Sequence, residues 1–311
     1  VFKQYGEGFA GLPEQELKEA TKALVLRYVE ENMPDASRRF AYLIQRLERA
    51  VLRLLSYLQE EQRQSAFHPV AMEQSIGGPD GIQPLTLKTP DGVEISVVGQ
   101  IDRVDVMHRE GHDYVRVVDY KTGTKKFSLE DVYCGLNTQM LFYLFTLCHG
   151  EPLGLHNPVA AGVLYLSGDP APRQTTRAES AKAPVYEVDG LVLNDEVVLR
   201  GMDKDASGLF VPCTFGKDGR ARAGQKLATL EKLGKIEQHI NALVMEMAGA
   251  LYRGEIDAMP MKSGGKLPCE YCDYRCVCRH EDGRNEREAG APKNVFEPTE
   301  EEKNETERGR E

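Results

Sequence analysis

The sequence predicts an α/β fold: a central mixed sheet flanked by helices, with a helical N-terminal part and a C-terminal cysteine cluster. Three observations carry this expectation. Strand chemistry concentrates in two adjacent stretches, Ile101, Val104 and Val106 in one and Tyr114, Val115, Val117, Val118 and Tyr120 in the other. The segments on either side place apolar residues at helical spacing. Four of the seven cysteines crowd between positions 269 and 278.

Taken in order, Leu12–Glu31 and Ser37–Gln64 read as helices. The second carries an apolar stripe from Phe40 through Leu47 and Leu54 to Leu58, with Arg38, Arg39, Arg46, Arg49 and Arg53 around it. Those arginines read first as a solvated face and second as a DNA-facing one. Phe67–Gln74 reads as a strand entering the sheet, and Leu85–Thr89 with Val93–Val98 as a hairpin. The strands Gly99–Val106 and Tyr114–Gly123 follow, joined by a turn around Gly111. Symmetric pairing sets Met107 opposite Tyr114 and therefore Asp102 opposite Asp119, with Lys121 on the same strand face as Asp119.

Leu129–Cys148 is predicted as one helix, on which Gln139 and Tyr143 stand four apart and share a face. Ala160–Leu166 is a short apolar strand, and Ser167–Pro184 is a loop rich in Pro, Ala, Thr and Arg. Gly190–Arg200 reads as a strand-like or inserted segment, and Lys217–Lys226 as a mobile basic loop, a solvated turn or a contact for DNA backbone. Gln225–Arg253 is predicted as a long amphipathic helix.

Length and composition allow one large domain or two modest ones. No apolar run approaches the roughly 20 residues that span a bilayer, and no signal peptide is visible. Clustered cysteines without an export signal point to metal in a reducing compartment, the cytoplasm, rather than to disulfides. The net charge of −10 argues against a generic nucleic-acid binder, yet Glu281–Glu311 holds eleven acidic and six basic residues, so that this tail supplies −5. The chain opens at Val1 without a cap or strand signal and is expected to be a fragment. No Gly-x4-Gly-Lys-Ser/Thr pattern occurs, so ATP hydrolysis is not expected of it.

Two carboxylates facing each other across strands repel unless a cation lies between them. A divalent metal with oxygen ligands answers that need, and Lys121 adds a charge for an anionic substrate. A surface hairpin with ordinary solvated charges is the plainer reading, but the surrounding strands are strongly apolar. Gly99-Gln-Ile-Asp102-Arg-Val-Asp followed by Val118-Asp119-Tyr-Lys121-Thr-Gly resembles motifs II and III of the RecB-type PD-(D/E)xK nucleases. The resemblance implies a restriction-endonuclease-like core. It also implies magnesium held by Asp102, Asp119 and the backbone carbonyl of Tyr120, with Lys121 positioning the attacking water or the phosphate. Gln139 and Tyr143 match the Gln-xxx-Tyr motif that this family points at its active site. Glu73 matches an acidic residue on the family's first strand and is a further candidate metal ligand. Many members use a His on the preceding helix instead, and neither early helix here offers one.

Cys269, Cys272, Cys276 and Cys278 are local enough for a tetrahedral zinc knuckle. Their arrangement is also similar to that of the B subunits of AddAB-type helicase–nucleases, in which three C-terminal cysteines and a distant N-terminal one hold a [4Fe–4S] cluster. That match makes Cys269, Cys272 and Cys278 ligands. The fourth lies upstream of Val1, or Cys276 substitutes locally. The resemblance implies a Mg2+-dependent DNA exonuclease acting in double-strand break repair by end resection. Its substrate would be a single strand or end delivered by the helicase, its partner an AddA-type subunit in a heterodimer, and no membrane would be involved. The alternative is a non-catalytic DNA-end-binding or scaffold module of the same fold. The expected organisation is a helical segment over 1–66, the nuclease over 67–280 with its iron–sulfur part at 265–280, and a disordered acidic tail over 281–311.

Overall fold

The early helices form where the apolar stripes place them. In the computed structural model, which describes residues 2–33, 38–121, 123, 126–149, 152–168, 186–222, 224–291 and 295–297, a short helix α1 (Phe2–Tyr5) leads into α2 (Glu14–Asn32) and α3 (Arg38–Gln64). Glu14 and Glu16 in the first turn of α2 complement its dipole. The two long helices pack on each other, and Gln59 of α3 ties down the 3-10 turn Gly6–Gly11 that leads into α2 by donating to the carbonyls of Phe9 (3.0 Å) and Leu12 (2.8 Å).

The chain then enters β1 (His68–Ile76), the separate hairpin β2 (Thr86–Lys88) and β3 (Glu94–Ser96), and the long pair β4 (Gly99–Arg109) and β5 (His112–Lys121). Gly111, with a φ of +78°, makes the turn between β4 and β5. Helices α4 (Leu129–Tyr133) and α5 (Gln139–Cys148) return the chain to β6 (Pro158–Ser167), parallel to β5, and β7 (Val188–Leu193) follows antiparallel. After α6 (Glu196–Met202) come the ribbon β8 (Thr214–Phe215) and β9 (Ala221–Arg222), then β10 (Leu227–Ala228) and α7 (Leu230–Tyr252). Finally β11 (Met261–Lys262), α8 (Arg275–Cys278) and β12 (Arg287–Glu288) form a C-terminal segment. The main sheet is six-stranded and mixed, ordered β1-β4-β5-β6-β7-β10, and is flanked by helices as expected. One apolar cluster runs from Phe9 through both faces of β4 and β5 to Ile240 on α7. Among the described residues no helix is long and apolar enough to cross a membrane.

Four expectations need correction. Leu129–Cys148 is two helices, because Gly135 (φ +82°) and Asn137 (φ +56°) turn the backbone left-handed between them. Apolar spacing reads through the break because Val132 and Met140 enter the same core. Gln225–Arg253 becomes helical only at Leu230. Thr229 caps it by accepting from the amide of Lys232 (3.1 Å), and Leu227–Ala228 is consumed as the sixth strand. Gly190–Arg200 divides at Asp195, whose carboxylate caps α6 through the amides of Val197 (2.8 Å) and Val198 (3.2 Å). The basic loop Lys217–Lys226 supplies the turn and second strand, β9, of a ribbon with β8, in which Arg222 pairs with Asp218 at 3.2 Å.

The stretch beyond 281, expected as a disordered tail, is held to the body in its described part. β12 pairs in parallel with β11, Phe296 packs edge-on against His239 and Tyr133, and Glu297 pairs with the buried Lys232. An ammonium that deep requires an acidic partner, and Phe296 has apolar area to bury. Residues 298–311, and 169–185 of the predicted loop, lie outside the described residues.

Candidate active site

The β4–β5 register is the one that symmetric pairing requires: Met107 opposes Tyr114 and Arg103 opposes Val118. One step further brings Asp102 level with Asp119, and the Asp102 carboxylate accepts a hydrogen bond from the amide of Tyr120 at 3.0 Å. The same level continues across the sheet, because Asp119 opposes Tyr165 on β6 and Tyr165 opposes Asp189 on β7. On the other side, Met72↔Arg103 and Gln74↔Ile101 bracket Glu73 beside Asp102. One row thus carries four carboxylates and a phenol across five strands.

Lys121 supplies the cation. Its Nζ lies 2.6 Å from the Asp119 carboxylate and 5.9 Å from the centre of the Tyr165 ring. Burial pushes the Tyr165 hydroxyl well above its ordinary range, and the charges of Asp119 and Asp189 add to the effect. Tyr165 therefore stays a neutral donor at every working pH. Asp189 is itself buried and accepts from the amide of Phe127 (3.0 Å) and from Lys226 (2.6 Å). Neither Tyr165 nor Asp189 stands out in the sequence. Tyr165 sits in an apolar run and Asp189 just before one, and only the register shows that they share a level with Asp119.

Glu73 is turned aside. Its backbone has a φ of +53°, uncommon for a residue with a Cβ, and its exposed carboxylate accepts from the Gln100 amide at 2.7 Å. Gln139 opens α5 and donates to the Tyr143 hydroxyl at 2.8 Å, so the two share a face as their spacing requires. Tyr143 is buried with its hydroxyl against the backbone of Gly99, where an added Cβ would come within 2.0 Å of the oxygen. That contact explains the glycine that opens the motif strand. Gly99→Ala is expected to displace the Tyr143 ring and cost about 1–3 kcal/mol, the range for overpacking a filled site. Urea midpoints of Gly99→Ala alone and with Tyr143→Leu test this, since the second change should recover most of the loss.

The turn that presents Gln139 is braced from the C-terminal segment. Ser263 donates to Asp131 at 2.9 Å, and the other oxygen of Asp131 accepts from the Asn137 side chain at 2.8 Å. The cysteines lie between the paired strands β11 and β12. All four thiols are free of disulfides, with Cys269 half-buried and Cys272, Cys276 and Cys278 exposed. Among the described residues no three His, Cys, Asp or Glu side chains converge at metal-binding distance. In chemistry the hard oxygens of Asp102, Asp119 and the Tyr120 carbonyl would fit a divalent cation such as Mg2+, and the thiolates of the cysteines would fit iron or zinc. A concave region of about 530 Å³ beside Phe9, His68 and Met72 is lined by no carboxylate, and we place no chemistry there.

Residues 1–279 match the model of the PD-(D/E)XK nuclease superfamily. Curated relatives agree. The chain is 33% identical over 267 residues to the B subunit of the ATP-dependent helicase/deoxyribonuclease of Clostridium acetobutylicum, covering 81% of this chain and 23% of the relative. It is 35% identical over 253 residues to the protein of the same name from Acetivibrio thermocellus, covering 78% and 22%. For Thermoanaerobacter sp. the figures are 32% over 265 residues, 83% and 23%. The chain thus spans less than a quarter of the length of these relatives.

Proposed function

The chain belongs to the PD-(D/E)XK nuclease superfamily, and on that premise we propose that it is the Mg2+-dependent exonuclease part of a helicase–nuclease that resects broken DNA ends. The observation that carries this reading is that Asp102 and Asp119 share a level of the β4–β5 pair, with Lys121 on the same face and its Nζ 2.6 Å from Asp119. In this reading Asp102, Asp119 and the carbonyl of Tyr120 hold the ion. When bound, Mg2+ supplies Lewis-acid stabilisation of the charge that develops on the phosphate. Lys121, already beside Asp119, orients the attacking water and faces the phosphate with its ammonium. Tyr165 supports Lys121 from below with its ring. Gln139 and Tyr143 shape the approach of the substrate at the start of β4. Glu73 joins the ion only if its carboxylate leaves Gln100, and we assign it no step.

The substrate in this account is a single strand fed by the helicase, held through its backbone charge and by stacking. The partner is an AddA-type subunit, in keeping with the names of the relatives. Digestion of end-labelled single-stranded DNA with and without Mg2+ tests the activity. No metal-dependent loss of label would favour the non-catalytic, end-binding reading instead.

The cysteines are proposed as a [4Fe–4S] site with Cys269, Cys272 and Cys278 as ligands and Cys276 as a candidate for the fourth. Their position supports a structural role, because the loop that carries them is closed at its base by β11 and β12 and braces Asp131. Anaerobically purified full chain should be brown and hold about four irons. Stoichiometric zinc in a colourless protein would replace the cluster with a knuckle. Because thiolate–metal bonding adds to folding free energy, Cys272→Ser should lower the melting temperature and expose the region after Arg253 to protease before it alters turnover.

A further inference from the structure

Beneath the site, on the opposite face of β4 and β5, lies a set of charges that the proposed chemistry does not use. Arg103, Asp105 and Arg116 are fully buried, and Glu61 of α3 nearly so. Arg103 grips Asp105 with two hydrogen bonds of 2.6 Å, one to each carboxylate oxygen, and reaches Glu61 at 3.1 Å. Arg116 bonds Asp105 at 2.8 Å, pairs with Glu61, and lies 4.9 Å from the centre of the Phe67 ring. Burial alone would lower the Arg103 pKa, but Asp105 and Glu61 carry it well above its ordinary value. With two guanidiniums set against two carboxylates, the quartet sums to no formal charge.

Such a network is a poor choice if stability is the only requirement. Taking four charges out of water costs several kcal/mol each, and apolar side chains of the same volume often do as well or better. What charges add is direction, and here the direction leads to the site. Arg103 donates a further bond, at 3.2 Å, to the hydroxyl of Tyr120. Tyr120 stands between Asp119 and Lys121 in the strand, and its amide is the group that holds Asp102.

We propose that Arg103 is a positioning residue for the carboxylate pair, acting through the hydroxyl and the backbone of Tyr120. The ring points away from Asp119 by strand alternation, so a hold on its hydroxyl orients the residue from behind. With its amide bonded to Asp102 and its hydroxyl to Arg103, Tyr120 is held at its backbone and at the far end of its side chain. The orientation of Tyr120 sets how its neighbours Asp119 and Lys121 project and where its own carbonyl points. Two carboxylates that repel each other before a cation arrives need such a restraint to stay at binding distance. The anchor of the restraint is Glu61, so the seating of α3 on the sheet is tied to the geometry of the site. This inference rests on the proposed metal site.

Calorimetric titration of the full chain with Ca2+, which occupies oxygen sites without requiring turnover, separates the possibilities. Tyr120→Phe keeps the backbone and the ring and removes only the hydroxyl. Its Ca2+ affinity should fall about tenfold, the equivalent of one hydrogen bond to a charged group. Arg103→Lys should weaken binding at least as much, if it folds. A merely structural role would lower the melting temperature and leave the affinity of the folded protein untouched. Asp119→Ala is the control and should lose binding. If Asp119→Ala binds as the wild type does, or the wild type does not bind, the metal site is wrong and the inference falls with it. If Asp119→Ala loses binding while Tyr120→Phe keeps wild-type affinity, the site stands and the positioning role of Arg103 is overturned.

Discussion

Asp119→Ala in the full chain is expected to reduce Mg2+-dependent DNA cleavage by on the order of 10³-fold, since Lewis-acid stabilisation is worth several kcal/mol and each 1.4 kcal/mol is about tenfold in rate. The fold should survive. Removing one member of a facing carboxylate pair relieves repulsion, and the Lys121 left behind is partly solvated. Lys121→Ala should also lose cleavage while keeping its affinity for metal, because an ammonium is not a ligand. The pair of variants separates binding from chemistry in one experiment. Wild-type turnover in Asp119→Ala would remove the site from this part of the sheet.

The largest effect on stability is expected from Asp105→Ala, at about 3–5 kcal/mol, the cost of stripping a partner from a buried charge network. Two buried guanidiniums, Arg103 and Arg116, would then lose the carboxylate that both of them bond, and keep their bonds to Glu61. The exposed pair Arg222–Asp218 sets the contrast: Asp218→Ala should cost at most about 1 kcal/mol. The effect carries a pH signature. Burial would raise the Asp105 carboxyl, but Arg103 and Arg116 outweigh it and hold it below its ordinary value of 3.8. A carboxyl with a depressed folded-state pKa contributes stability that is fully present above its unfolded value and is lost as pH falls through the folded one. Urea midpoints should therefore hold from pH 7 to 5 and drop below about pH 4, and Asp105→Ala should flatten part of that drop. Equal midpoints for wild type and Asp105→Ala at pH 7 would show that the network contributes nothing.

The parts of this arrangement that follow from local periodicity were legible in the sequence. Alternating valines and one glycine turn set the β4–β5 register, and the register alone brings Asp102 to Asp119. Gln139 and Tyr143 share a face because four residues make about one helical turn. What depended on residues distant in sequence was not legible. Asp189 and Tyr165 reach the site level only through two further strand pairings. Glu61 looks like one more charge on a polar helix face until Arg103 and Arg116 are seen opposite it. The break at Gly135–Asn137 was masked by apolar spacing that continues on both sides, although Gly and Asn are residues that tolerate a positive φ. Arg103 and Asp105 lay inside the recognised motif, yet strand alternation sends them to the face away from Asp102, where they serve a different purpose.

The central claim is that one face of the β4–β5 pair binds the ion that supports hydrolysis. Anomalous scattering from crystals of the full chain soaked in Mn2+ tests it most directly. The account predicts a peak between the Asp102 and Asp119 carboxylates at about 2.1 Å from their oxygens, the distance a small hard cation takes, with Lys121 beside it and no such peak in Asp119→Ala. Manganese bound elsewhere, or bound there unchanged in Asp119→Ala, would contradict it.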